Sequence, residues 1–205
     1  MASRLPPPRR IVTSNLPLPT GVAGLKNPEP VVEVLVQDVA QLQELDGDAF
    51  RGTVFTHEAV PTSNDGSDVI PREPSSHGIV FPTGANIRYN DVAPGKCVPM
   101  HRTQSTDYNI FLNGEVYLIT PAEAGAGDST LKLKETICRP GDVVCQRGTL
   151  HSWENRSSEW VRWIVVILGA EPTTVEVEGK DEKIQLNDFF GKYGSDDIWE
   201  GLVEK

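Results

Sequence analysis

The stretch that decides the fold is "GKCVPMHRTQSTDYNIFLNGE", Gly95 to Glu115. His101, Thr103, Asp107, Asn109 and Phe111 all carry odd numbers. In an extended chain successive side chains alternate faces, so one strand would send all five to the same side. A strand that sends a histidine, a hydroxyl and a carboxylate to the side of Phe111 calls for an explanation beyond simple core packing. Tyr108 has the opposite parity and is expected to point away.

Outward from this stretch, the chain reads as strands. "GTVFTHEAV", "GIVFPTG", "NIRYNDV", "EVYLIT", "LKLKETIC", "DVVCQ", "HSWEN" and "WVRWIVVILG" are short runs rich in β-branched and aromatic residues. Clusters such as "SNDGSD", "APGK", "NGE", "RPGD" and "NRSS" separate them as turns. Many short strands at this spacing predict an all-β sandwich or barrel. Residues 1–30 are punctuated by prolines and read as an arm, with "RRIVTS" its strand-like piece. "VVEVLVQ" reads as a strand, and "DVAQLQEL" as a helical turn or two. A helix is expected at the C-terminus, where Ser195 can cap and Ile198, Trp199 and Leu202 form a stripe.

A second stretch, "RPGDVVCQRGTLHSWEN", opens a strand with a PGD turn and ends with His151 and Trp153 on one face. Together the two stretches resemble the paired motifs of the cupin superfamily, G-x5-H-x-H-x3,4-E-x6-G and G-x5-P-x-G-x2-H-x3-N. Gly95, His101, Asp107 and Gly114 keep the register of the first, with Thr103 in place of histidine and Asp107 in place of glutamate. Gly141, Gly148, His151 and Asn155 match the second, with Gln146 where proline is usual and a spacing one residue shorter. The wording is similar to that of small single-domain fungal cupins, several of them encoded among natural-product biosynthetic genes.

The resemblance implies a double-stranded β-helix, or jelly-roll barrel, spanning residues 31–180, between the N-terminal arm (1–30) and a C-terminal extension with a short helix (181–205). It implies a catalytic set of His101, Asp107 and His151, with Thr103, Asn109, Phe111, Tyr117 and Trp153 at the substrate. Asn155 is expected to close a turn, and His57 and His77 match no motif. Metal-binding cupins use three histidines and a glutamate. Two histidines and a carboxylate can also hold Fe(II), Mn(II) or Zn(II), so the cofactor is either none or one such metal on His101, Asp107 and His151.

The chemistry expected is that of a lyase or isomerase, by decarboxylation, dehydration or cyclisation of a small oxygenated acid or polyketide-like compound. A histidine tuned near neutrality and a partly buried carboxylate suffice for such proton transfers. A metal-dependent dioxygenase and a non-catalytic small-molecule binding protein are the alternatives. Composition agrees with a globular protein, at 38% hydrophobic and 23% charged residues over 205 positions. A formal charge of −10 argues against a nucleic-acid partner. There is no apolar run long enough to cross a bilayer. Three scattered cysteines and no secretory signal lead to a cytoplasmic expectation. A homodimer is expected as well.

Overall fold

The computed structural model describes residues 2–21, 23–65, 79–122 and 132–192. These form strands β1 (Arg9–Asn15), β2 (Val32–Asp38), β3 (Leu42–Glu44), β4 (Ala49–His57), β5 (Ala85–Val92), β6 (Cys97–Arg102), β7 (Ser105–Asn113) and β8 (Val116–Ala122). They continue as β9 (Lys132–Cys138), β10 (Val143–Arg147), β11 (His151–Glu154), β12 (Val161–Gly169), β13 (Thr174–Glu176), β14 (Lys183–Gln185) and β15 (Phe189–Phe190). Among the described residues, helical structure is confined to a 3₁₀ turn at Leu45–Gly47. No helix among them is long and apolar enough to cross a membrane.

Two sheets carry the architecture. A six-stranded sheet runs β10-β7-β12-β5-β4-β3, and a five-stranded sheet runs β15-β6-β11-β8-β9. Their strands pair antiparallel. Side-chain alternation sets the inner faces. In β12, Val161, Trp163, Val165 and Ile167 are buried while the residues between them are only partly so. In β7, Ser105, Asp107, Asn109 and Phe111 point inward and Tyr108 outward. Where the sheets meet, Phe111 and Trp163 of one pack against Trp153 of the other, with ring centroids 5.4 and 5.8 Å from Trp153. Ala49, Val92, Val116, Cys138 and Val161 complete this core. Burial of each large apolar side chain contributes roughly 1.5–3 kcal/mol.

The opening stretch is two strands, not one. β6 belongs to the five-stranded sheet and β7 to the six-stranded sheet, with the chain crossing between them at Thr103-Gln104. The Gln104 N–H donates to Asp188 at 2.8 Å, and the Gly148 N–H to the Ser105 carbonyl at 3.0 Å, fixing that crossing. Across the break, His101 of β6 and the odd positions Asp107 and Asn109 of β7 still reach one interior.

Four other expectations are corrected or fall outside the described residues. "DVAQLQEL" is strand β3, paired to β4, and then the 3₁₀ turn, rather than helix. The described part of "GIVFPTG" is turn and bend, not strand. There Gly84 lies so close to the His57 carbonyl that any Cβ would overlap it. The C-terminal helix from Ser195 and His77 lie outside the described residues.

"RRIVTS" does form a strand, paired with β2 of the same chain. The preceding residues return to the six-stranded sheet. The Arg4 guanidinium sits 3.4 Å from the centre of the Phe50 ring, and Arg162 donates to the Pro6 carbonyl at 2.8 Å.

Candidate functional site

Polar residues line a cavity of about 280 Å3 whose walls come from both sheets. His101, His151 and Trp153 reach it from the five-stranded sheet, and Asp107, Asn109, Gln146, Arg88 and Trp163 from the six-stranded one.

The two histidines form a unit. His101 on β6 and His151 on β11 are directly paired across the strands, with ring centroids 4.2 Å apart. Each ring is anchored by its Nδ1 to a backbone carbonyl two residues earlier, Pro99 at 2.8 Å and Thr149 at 2.9 Å. A carbonyl only accepts, so each Nδ1 carries the proton and each Nε2 keeps its lone pair. Burial lowers both pKa values, overriding the backbone bonds, which act the other way. For His151 the proximity of His101 adds to burial and brings the value to about 3. Both rings are therefore neutral acceptors near pH 7.

Asp107 behaves oppositely. Burial raises its carboxyl to about 6, although a hydrogen bond with Ser105 favours the ionised form. Its Oδ1 has no hydrogen-bond partner. Thr103 does not line the cavity; its hydroxyl lies 2.7 Å from that of Ser105. Its place is thus behind the carboxylate, through Ser105, rather than at a substrate.

The remaining expected contacts divide. Trp153 and Asn109 line the cavity. Asn109 is committed at both ends of its amide, accepting from the Trp163 indole N–H at 3.1 Å and donating to Gln146 Oε1 at 2.7 Å. Phe111 and Tyr117, expected at the substrate, do not line it. Phe111 sits deeper, stacked against Trp163 at 6.1 Å. Tyr117 packs on the separate cluster of Met100, Ile119 and Leu150, with Arg156 4.3 Å over its ring. Asn155 does close a turn, donating to the carbonyls of Val92, Ala93 and Glu159 and accepting from Ser157.

Arg88, Gln146 and Trp163 were not legible as site residues. Arg88 is only 1% exposed, yet it lies on the polar face "N-R-N" of β5, which by composition alone reads as solvent-facing. The signal was its company, a strand whose polar face opposes Ile87 and Tyr89.

The expected three-residue metal set is not assembled. Among the described residues no three His, Cys, Asp or Glu side chains come together as a ligand group. The imidazole pair presents two nitrogens, whereas catalytic zinc and non-haem iron sites draw three ligands from the protein. Asp107 lines the same cavity from the opposite sheet but is not gathered with the histidine pair as a ligand group.

No family model matches the chain. Among characterised sequences it is 30% identical over 161 residues to the cupin-domain-containing oxidoreductase srdB of Neurospora crassa, covering 77% of this chain and 74% of that one. It is 42% identical over 104 residues to Phomopsin biosynthesis cluster protein D of Diaporthe leptostromiformis, which spans 50% of this chain and 49% of the relative. The matched segment is thus about half the length of that relative. Among solved structures it is similar to the polyketide cyclase RemF of Streptomyces resistomycificus, at 17% identity and a TM-score of 0.42 over 70% of this chain and 83% of that one. A Cupin 2 conserved barrel protein from Salinispora arenicola aligns at 18% identity and a TM-score of 0.39, over 62% of this chain and 81% of that one.

Proposed function

The chain belongs to the cupin family, and we propose that it is an enzyme of natural-product biosynthesis, a lyase or isomerase that moves a proton on a small oxygenated acid or polyketide-like compound. One observation carries this reading. A carboxyl group with a pKa of about 6 shares a desolvated cavity with two imidazoles held neutral. A general base works best when its pKa lies near the working pH.

The roles follow from the protonation states. Near pH 7 Asp107 is largely ionised and accepts a proton from a carbon next to a carbonyl. The neutral Nε2 atoms of His101 and His151 accept hydrogen bonds from substrate hydroxyls, including an enol O–H. Return of the proton from Asp107 to another carbon completes an isomerisation; departure of a leaving group completes an elimination. Arg88, permanently charged, lines the same cavity. Trp153 and Trp163 give the cavity flat apolar walls suited to a conjugated ring.

A second reading, a metal-dependent oxidoreductase, has one observation in its favour. Backbone-anchored Nδ1 atoms with adjacent free Nε2 atoms are how imidazoles are oriented toward metals. The relative named as an oxidoreductase points the same way. A silent binding protein would use the cavity without turnover.

Incubating the purified protein in D2O with extract of a producing strain that lacks this gene separates the three. Proton transfer yields an isomer of the precursor or a decarboxylated product, each with deuterium at carbon, or a product that has lost water. Loss of two hydrogens or gain of oxygen supports the oxidoreductase, and no change supports the binding protein.

A further inference from the structure

Gln146 and Asp107 are cross-strand partners in the β10–β7 pair, and both line the cavity. They are 5% and 7% exposed. Each carries a buried polar atom without a hydrogen-bond partner, Nε2 of Gln146 and Oδ1 of Asp107. Buried polar groups are nearly always paired, so two orphans side by side need a reason.

The orientation of the Gln146 amide is not arbitrary. An indole N–H can only donate, so the atom of Asn109 that meets Trp163 must be its oxygen. The Asn109 nitrogen then points to Gln146, which must answer with its own oxygen. The relay Trp163–Asn109–Gln146 therefore ends in a free N–H donor, beside a free carboxyl acceptor.

We propose that Gln146 and Asp107 form a recognition couple for a ligand bearing a carbonyl oxygen beside an N–H or O–H, as in a lactam or an enolised hydroxycarbonyl. The ligand's carbonyl accepts from Gln146 Nε2, and its N–H or O–H donates to Asp107 Oδ1. Both orphans are satisfied at once, and a ligand lacking either group leaves one of them buried and unpaired. Such a loss discriminates more strongly than a missing apolar contact. This deepens the reading above by naming the class of group recognised, and it depends on Asp107 as an acceptor rather than on turnover.

The test is equilibrium binding, read by quenching of tryptophan fluorescence and confirmed by ligand-observed NMR. The probes are 2-pyridone, which carries C=O beside N–H, and N-methyl-2-pyridone, which lacks the donor. Wild-type protein is expected to bind 2-pyridone about tenfold or more tightly than its N-methyl analogue. Gln146→Met, which keeps the length of the side chain but removes the donor, is expected to lose a similar factor. Equal binding of the two probes, no binding of 2-pyridone at millimolar concentration, or unaltered binding by a folded Gln146→Met variant would each overturn the couple. If that variant does not fold, the wild-type probe comparison decides alone. Proton transfer by Asp107 can fail while this preference stands, and the preference can fail while turnover stands.

Discussion

His101 and His151 face each other across paired antiparallel strands, 4.2 Å between ring centroids, each tethered through Nδ1 to the carbonyl two residues before it. The tethers matter because they settle which nitrogen is protonated and leave two lone pairs side by side. Two cations could not sit so close in a buried site, so the pair carries at most one added proton. The cavity thus has an accepting wall of imidazoles in one sheet and a titrating carboxyl in the other.

The tautomer is directly measurable. Nitrogen-15 NMR is expected to show both rings neutral with the proton on Nδ1 at pH 7. His151 should stay neutral down to about pH 3. Midpoints near the ordinary histidine value of 6.5 for both rings would contradict the burial argument.

Acid stability follows with a definite sign. Both histidines have folded pKa values below 6.5, so as pH falls through 6.5 the unfolded chain takes up protons that the folded one refuses. Stability is then lost by up to about 1.4 kcal/mol per pH unit for each such proton. Asp107 works the other way between about 6 and 3.8, where the folded state holds the extra proton. Denaturant titrations from neutral to mildly acidic pH should therefore show a shallower loss for His151→Asn than for wild type. Asp107→Asn should show a steeper one.

Phe111 is expected to matter for folding rather than for substrate. Its ring is buried among Trp153 and Trp163, so Phe111→Ala should cost about 3–5 kcal/mol. The milder Phe111→Leu should lower thermal stability while leaving KM nearly unchanged. A raised KM with unaltered stability would return Phe111 to the substrate site.

Much of this was legible in the sequence, for identifiable reasons. Alternation exposed the inward face of β7, and the two motif registers pointed to His101 and His151, which the strands pair. Parity reports a face but not a depth, which is why Phe111 and Tyr117 were misplaced. It is also blind to a two-residue break, which hid the crossing between sheets at Thr103-Gln104. Motif register reports order along the chain and not distance across the barrel, and among the described residues Asp107 is not gathered with the histidine pair as a ligand group. Arg88 escaped notice because a polar strand face ordinarily means water, and here it means the inside of a pocket.

Chelation tests the ligand argument. With two imidazoles and no third acidic, thiol or imidazole side chain gathered with them among the described residues, exhaustive chelation is expected to leave turnover unchanged. Activity lost on chelation and restored by one divalent metal would carry the protein to the oxidoreductase reading.

The pH dependence of kcat/KM, measured for wild type and Asp107→Asn on the converted substrate, tests the central claim most directly. Wild-type activity is expected to rise with pH through a midpoint near 6, because the ionised carboxylate is the base. The variant is expected to fall by about 100-fold or more, the usual contribution of a positioned acid or base. A folded Asp107→Asn protein with wild-type activity, or a wild-type profile flat from acid to neutral pH, would contradict the assignment of proton transfer to Asp107.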